Sequence, residues 1–454
     1  MACAIAVELG DLRFLVHGNH LAYGALGWAF DSLWRLAGYR GPAMLALQTL
    51  SALLDAAAAG VFFSALRRAG CRRGVAGAAA AGLALSHGFW LWSLEAQVYP
   101  VGLLFMALAL REALAPRPAP ARLGAWTGLA MLGHVGHAMF IPAALYVLRR
   151  REGPRWRASA LRFAAAAACV VVAAYAWAAV FCVRPRSLED LRVWLLGSAA
   201  LKLDKSFAWH GRYSWAGLRE WLTLAPRLFA DYARWTGLTR AVSLALGLAC
   251  LALSATGARI ARKVDRGFIP KLCGLWLLAY AALYLSWEPF MIVYRLSDLL
   301  PLWLLIAVAL ERSSAVRSAT ALAATLGLYN GFFGIGPYAR PESNPAYLES
   351  LKLKEAVPEN AWVVASGLGQ VYVPYFAHRK PLNMRYWDFR LPALGAELDA
   401  MSARGERVFV SRMTLTDGGW LEWFSSYGLR PVPGAEGVFE VRGTGNRAAG
   451  RRRG

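Results

Sequence analysis

The chain alternates long apolar stretches with short polar loops, and this alternation limits its fold more than any other feature. A helix needs about 20 residues to cross the hydrocarbon core of a bilayer. Most of the apolar stretches have apolar residues on all faces, as expected of helices that contact lipid or other helices. The candidate spans are residues 41–66, 74–92, 95–113, 159–183, 237–257, 270–287, 290–310 and 315–335. The sequence therefore predicts a polytopic membrane protein.

Composition supports this prediction and argues against a nucleic-acid partner. Only 17% of the residues are charged, whereas soluble chains have about 25%. The net charge of +22 is concentrated in short loops between spans, such as 67–73, 258–271 and 311–317. The connections 93–100 and 286–289 have a glutamate and no Lys or Arg. Because basic loops face the cytoplasm, the alternation predicts which ends of the spans are outside.

Residues 124–148 break this alternation, because basic loops flank them on both sides. Two short half-helices that meet at "GHVGH" would return both ends to the cytoplasm, so we expect a re-entrant hairpin here. Residues 184–236 then form an external loop. Residues 1–40 are also external, with an interfacial helix at 21–37. That placement implies either a first helix missing before Met1 or an earlier start codon.

The chain changes character after the last span. Residues 361–368, 407–413 and 437–442 read as strands, and 393–405 and 418–428 read as helices. We expect domains at 1–40, 41–335 and 336–443, followed by a basic tail at 444–454. The predicted fold class is mainly α, a polytopic transmembrane helical bundle with a small α/β extracytoplasmic C-terminal domain.

Ionisable and aromatic residues converge on the predicted outer face. Such groups at membrane depth usually mark a site or a pathway. Each also has a simpler explanation: a solvated loop acid, a histidine bonded to backbone, or an arginine that extends to the interface and pairs with Glu288 or Asp298. No HExxH or similar metal-ligand spacing occurs, so no metal is assigned. The residues in question are Glu8, Asp11, His17, His20, Glu95, Tyr99, His134, His137, Trp287, Glu288 and Arg295.

Several segments, in their order and spacing, resemble the GT-C superfamily of integral-membrane glycosyltransferases, nearest to the bacterial group related to protein O-mannosyltransferases. The resemblance covers roughly residues 8–335. Its segments are "NHLAYGALGWAF" (19–30), "LQTLSALLDAAAAGVFFSALRR" (47–68), "GLALSHGFWLWSLEAQVYPVGLLFMALAL" (82–110), "GLAMLGHVGHAMFIPAALYVL" (128–148) and "YLSWEPFMIVYRLSDLLPLWLLIAVAL" (284–310).

The resemblance implies an enzyme of the bacterial cytoplasmic membrane that moves a sugar from a polyprenyl-phosphate donor to a lipid, glycan or protein acceptor. It implies that Asp11 is the general base, with Glu8 as a nearby candidate, and that Glu95 is a second acidic position. Arg295 is best placed to hold the lipid phosphate. No cofactor is implied, although a divalent metal is compatible with the family. The remaining donor- or acceptor-binding candidates are His17, His20, Tyr99, His134, His137, Trp287 and Glu288.

Two other functions fit a membrane protein of this kind. A transporter or flippase for lipid-linked sugars should show internal hydropathy symmetry between two halves, and none is evident. A ligase that moves whole glycans from a polyprenyl diphosphate would favour more basic groups in the outer cavity than this sequence offers. The glycosyltransferase reading is preferred because it also explains the acidic external loop.

Overall fold

The structure is a computed structural model that describes residues 2–10, 15–196, 214–231, 235–264, 267–289, 291–312, 316–384, 391–417 and 420–442. The chain divides into two compact units, Cys3–Gly336 and a second unit that begins at Pro337. The first unit is helical, and large side chains such as Phe62, Trp276 and Trp303 fill its core.

The helices of the first unit follow the predicted apolar stretches closely. Turns of 3₁₀-helix at Val135–Phe140 and Ile292–Asp298 and of π-helix at Ala178–Val183 and Asn330–Ile335 extend or join them. The α-helices are α1 Ala2–Leu9, α2 Leu21–Leu36, α3 Ala43–Arg68, α4 Arg73–Leu85, α5 His87–Ser93, α6 Tyr99–Ala113, α7 Pro120–Gly133, α8 Ile141–Glu152, α9 Trp156–Trp177, α10 Leu188–Leu196, α11 Trp215–Arg227, α12 Gly237–Val264, α13 Phe268–Trp287, α14 Leu299–Arg312 and α15 Val316–Tyr329.

Within the described residues, five helical runs are long and apolar enough to cross a membrane, and α4 with α5 makes a sixth if that bent pair is one span. The two helices of the pair meet at 63°. The five runs are Ala43–Arg68, Val135–Val183, Gly237–Lys263, Phe268–Trp287 and Ile292–Glu311. The protein is therefore a multi-pass membrane protein, and the predicted transmembrane helical bundle is confirmed.

The basic loops meet at one end of the bundle. Arg68 and Arg122 both approach Glu112, with N–O distances of 3.9 and 2.8 Å. Arg72 forms an ion pair of 2.6 Å with Glu311, which joins the loop between α3 and α4 to the end of α14. We call this the basic end and the opposite one the outer end.

Helices α12 and α14 run in the same direction, which places the loop before α13 at the basic end as well. The Ser254 hydroxyl donates to the Leu302 carbonyl at 3.3 Å. One turn further along both helices, Gly257 lies against the carbonyl of Leu305. Their last residues therefore reach the same end of the bundle, and α13 begins there.

Segment 124–148 consists of two helices with a break between them. Helix α7 ends at Gly133, and His134 has extended backbone angles before the 3₁₀ turn. At the other end, the Arg151 guanidinium lies 4.3 Å from the centroid of Phe268, the first residue of α13. Because α7 begins beside Glu112 and α8 ends beside α13, both ends of the segment lie at the basic end.

Helices α7 and α9 pack closely and in parallel through two glycines spaced four residues apart. A Cβ atom at Gly124 would meet the carbonyl oxygen of Phe163, and one at Gly128 would contact Ala167. Small residues with this spacing let the backbones of membrane helices approach each other. The parallel course of α7 and α9 requires α8 to return the chain to the basic end between them.

The bend between α4 and α5 leaves backbone N–H groups without partners inside the helix, and another segment accepts their hydrogen bonds. The N–H groups of His87 and Gly88 donate to the carbonyls of Phe229 and Leu228, both at 3.0 Å. The buried Asn330 side-chain amide donates to the carbonyls of Leu85 and Phe229, both at 2.8 Å. A helix break in an apolar environment is stable only when such groups are paired, so segment 228–231 is part of the bundle.

The predicted interfacial helix at 21–37 is α2, a 16-residue helix. It exposes Trp28, Leu33 and Leu36, and Arg35 pairs with the buried Asp31 at 2.6 Å. A helix with exposed apolar side chains can lie along a membrane surface, and the interfacial position of α2 stays a prediction.

The second unit is a five-stranded sheet with helices. The strands follow the order β2-β1-β3-β5-β4; β2, β1 and β3 are parallel, and β5 pairs antiparallel with β3 and β4. Three strands match the prediction, whereas β2 and β4 are additional. Its elements are α16 Pro345–Ala356, β1 Trp362–Ala365, α17 Gly369–Tyr372, a π-helix at Val373–Ala377, β2 Lys380–Asn383, α18 Leu391–Ala403, β3 Val408–Ser411, α19 Arg412–Asp417, α20 Leu421–Phe424, β4 Gly428–Pro431 and β5 Val438–Arg442. The predicted tail at 444–454 lies outside the described residues.

Candidate active site

A cavity of about 670 Å³ lies at the outer end of the bundle. Helices α9 and α10 form an apolar wall, and the loop before α2, the break after α7 and the end of α13 form a more polar one. The described residues that line it include no Lys, Arg, Asp or Glu. The lining consists of Gly18, Asn19, Met131, His134, Val135, Gly136, Val171, Val172, Tyr175, Ala176, Ala179, Leu191, Trp194, Leu195, Leu196, Leu283, Tyr284, Trp287 and Tyr294.

The polar wall is formed by the residues around the break at His134. The Nδ1 atom of His134 accepts from the Gly136 N–H at 3.1 Å, and the Val135 N–H donates to the Asn19 carbonyl at 2.9 Å. Gly136 is required there, since a Cβ atom would collide with the Tyr284 hydroxyl. The break therefore brings the loop before α2, the end of α7 and the end of α13 together.

Stacked aromatic rings continue this wall. Tyr284 and Tyr294 are nearly parallel, with centroids 4.9 Å apart and planes at 8°. His134 lies 5.8 Å from Tyr294 and 5.5 Å from Tyr99. Of the predicted residues, His134 and Trp287 line the cavity directly, and Tyr99 lies behind His134. The sequence prediction omitted Tyr284 and Tyr294. The four-residue spacing of Tyr280 and Tyr284, which puts both on one helix face, was the available signal.

His137 lies behind the cavity lining. Its Nδ1 atom and the Tyr280 hydroxyl are 2.8 Å apart, and both side chains are buried. Gly102 lies against the opposite ring nitrogen, at a position where a Cβ atom would collide with it. These contacts give His137 a fixed place in the packing between α6, α8 and α13.

His17 and His20 flank the cavity residues Gly18 and Asn19. Their rings stack with centroids 4.3 Å apart, and the Asn19 N–H donates to Nδ1 of His17 at 3.1 Å. Burial lowers the pKa of His17, and burial, together with the neighbouring His17 and His134, lowers the pKa of His20 to about 3. Both shifts favour the neutral imidazole at pH 7.

Arg295 is buried and does not line the cavity. Its Nε atom donates to Asp298 at 3.0 Å, and a terminal nitrogen donates to the carbonyl of Trp221. Its guanidinium carbon also lies 4.0 Å from the centroid of the Trp221 ring. Of the two partners expected from the sequence, Glu288 and Asp298, it is Asp298 that forms the ion pair.

The candidate acids lie outside the cavity lining. Glu8 is exposed, and its Oε1 accepts from the Ala43 N–H at 3.0 Å, which caps the start of α3. Glu95 is half-buried, and burial raises the pKa of its carboxyl. Glu288 follows α13 next to Trp287. Asp11 lies outside the described residues. Across the described part of the chain, no group of three or more His, Cys, Asp or Glu residues could hold a metal ion.

Comparisons with known proteins show which solved structures share this architecture. No protein-family model and no curated protein sequence matches the chain. Among solved structures, ArnT from Cupriavidus metallidurans bound to undecaprenyl phosphate is similar with a TM-score of 0.65 and 13% identity, over 97% of this chain and 92% of ArnT. Apo ArnT is similar with a TM-score of 0.60 and 12% identity, over 97% and 91%.

The oligosaccharyltransferase of Archaeoglobus fulgidus, in complex with zinc and sulfate, is similar with a TM-score of 0.54 and 15% identity. The match covers 92% of this chain and 64% of the oligosaccharyltransferase. Both neighbours are GT-C membrane glycosyltransferases. The resemblance read from the sequence is thereby confirmed at the level of the fold: the chain has the GT-C fold.

Proposed function

We propose that this protein is a membrane glycosyltransferase that moves a sugar from a polyprenyl-phosphate donor to an acceptor on the extracytoplasmic face. The supporting observation is the cavity, in which an apolar wall from α9 and α10 faces a polar wall that includes the first external loop. An apolar wall suits the isoprenoid chain, and a polar one suits the phosphate and the sugar. The GT-C fold and the undecaprenyl phosphate bound to ArnT support the same donor class.

The proposed reaction is a displacement at the anomeric carbon of the donor sugar. An acceptor hydroxyl attacks that carbon, the bond from it to the phosphate oxygen breaks, and the bonding electrons leave with the polyprenyl phosphate. A carboxylate takes the proton of the hydroxyl. Asp11 is the proposed base because the family resemblance implies it and because it shortly precedes the cavity residues Gly18 and Asn19 in the sequence. Glu8 is less suited, because its carboxylate already accepts a backbone hydrogen bond.

The acceptor is a lipid, a glycan or a protein segment with a free hydroxyl. The proposed location is the bacterial cytoplasmic membrane, with the second unit on the extracytoplasmic side. Tyr294, Tyr284 and His134 are polar residues that line the cavity. Their hydroxyl and imidazole groups can hydrogen-bond phosphate or sugar oxygens.

Filling the apolar part of the cavity tests the proposal. Ala176 lines the cavity on α9, and Ala173 on the same helix is exposed and not part of the lining. Ala176→Trp should abolish binding of undecaprenyl phosphate by the purified protein in detergent, whereas the matched control Ala173→Trp should bind like the unmodified protein. Native mass spectrometry can count the bound lipid directly.

Two outcomes would overturn the proposal. One is that the unmodified protein does not retain undecaprenyl phosphate. The other is that Ala176→Trp retains it as well as Ala173→Trp does, which would place the lipid elsewhere. A transporter would bind the same lipid, so the retained complex must also transfer sugar when it is loaded with a polyprenyl-phosphate sugar and an acceptor.

A further inference from the structure

Arg295 occupies a buried position from which it cannot contact the cavity directly. Only 8% of its side chain is exposed, and its Nε atom and one terminal nitrogen are engaged by Asp298 and by the Trp221 carbonyl. The residue lies in the 3₁₀ turn Ile292–Asp298 before α14. An arginine in such a place usually serves the protein's own packing, because burying its charge is costly unless all its donors are paired.

Trp221 connects Arg295 to the cavity. Its indole ring lies under the guanidinium and is also stacked on Tyr284, with centroids 6.3 Å apart and planes at 25°. Tyr284 in turn stacks on Tyr294, and both tyrosines line the cavity. A continuous series of planar groups therefore runs from Arg295 through Trp221 to the polar wall.

Trp221 belongs to α11, which lies in the predicted external loop 184–236. The Arg295 bond to the Trp221 carbonyl holds the middle of this helix. The carbonyls of Leu228 and Phe229, just after its end, accept the N–H groups at the α4–α5 break. The helix is thus held at its middle and just after its end, in addition to packing contacts such as those of Gly217 with Pro289 and of Pro226 with Gly247, and the Arg295 contact is next to the cavity.

We propose that Arg295 is a positioning residue that, through Trp221, holds Tyr284 and Tyr294 in the shape that a polyprenyl lipid requires. The catalytic consequence rests on the proposed function; the docking of α11 does not. A direct phosphate ligand would need free donors that point into the cavity. The known donors of Arg295 instead point to Asp298 and α11.

Two lipids can distinguish a positioning role of Arg295 from direct binding of the phosphate by Arg295. Undecaprenyl phosphate and the neutral alcohol undecaprenol differ only at the phosphate. The pair variant Arg295→Met/Asp298→Asn leaves no unpaired carboxylate at position 298. If Arg295 positions the polar wall, this variant should bind both lipids more weakly by the same factor, on the order of tenfold. If Arg295 binds phosphate, only undecaprenyl phosphate should lose affinity.

Hydrogen exchange tests the docking without any lipid. The amides of Trp215–Arg227 should exchange faster in the pair variant than in the unmodified protein. Trp221→Leu should lower the affinity for both lipids by the same factor. Trp221→Phe keeps an aromatic ring between Arg295 and Tyr284 and should retain most of the affinity. These two variants keep both charges and provide the test if the pair variant does not fold.

Unchanged exchange in α11, or a selective loss of undecaprenyl phosphate, would overturn the positioning role. If the unmodified protein binds neither lipid, the proposed function fails. The exchange data would still decide whether Arg295 docks α11.

Discussion

Glu8 and Asp11 are neighbouring carboxylates in the sequence; Glu8 lies in α1, and Asp11 lies outside the described residues. Glu8 accepts the Ala43 N–H at 3.0 Å, which makes it a cap for α3. A carboxylate oxygen that accepts a backbone N–H at the start of a helix is less available to an acceptor hydroxyl. Asp11, which the family resemblance implies, therefore stays the proposed base.

Asp11→Asn should lower the rate of sugar transfer by about 10²–10⁴-fold while leaving binding of undecaprenyl phosphate unchanged. The substitution keeps the side-chain volume and removes the charge that accepts the proton. Glu8→Gln is the matched control, because a glutamine oxygen can still accept the Ala43 N–H; its effect should be small. Both are measured as turnover with a polyprenyl-phosphate sugar. Unchanged turnover in Asp11→Asn would exclude it as the base and leave Glu8 and then Glu95 as candidates.

The sequence predicted some of the residues that line the cavity because they are polar in an apolar context. His134 and Trp287 were predicted in this way, and both line the cavity. Arg295 was predicted by the same argument and instead points to Asp298 and Trp221. Polarity in an apolar context predicts where along its helix a residue of the site lies. It does not give the direction of the side chain, because rotation of each helix about its axis is set by packing.

At the scale of elements, Gly124 and Gly128 determine how α7 meets α9. Gly124→Ala should destabilise the protein, because the added methyl group would collide with the carbonyl oxygen of Phe163. Forcing extra volume into a close-packed contact typically costs about 1–3 kcal/mol. Thermal unfolding of the purified protein in detergent measures the change.

Gly60→Ala is the control for this prediction. Gly60 lies inside α3, and a Cβ atom there meets nothing within 4 Å. Alanine is favoured over glycine in a helix by about 1 kcal/mol, so this variant should be neutral or slightly stabilised. Equal unfolding temperatures for Gly60→Ala and Gly124→Ala would contradict close backbone contact between α7 and α9.

At the scale of the whole molecule, the contacts bring the basic loops to one end of the first unit, and the positive-inside rule predicts that this end is cytoplasmic. Reporter fusions after residues 70, 96, 265 and 340 should report inside, outside, inside and outside. Fusions after 118 and 152 should both report inside, since segment 124–148 returns to the end from which it started. An inside result at 340 would refute the topology, and opposite results at 118 and 152 would refute the hairpin.

By itself, the sequence determined the limits of the apolar helices, the break at "GHVGH" and the change to an α/β unit near residue 336. These properties follow from local composition, since transfer into a bilayer depends on the residues of each segment. Only the tertiary structure decided which outer-end side chains share a cavity. Successive residues of a helix point about 100° apart, so whether Tyr284 faces the cavity and Arg295 faces Trp221 depends on how neighbouring helices pack.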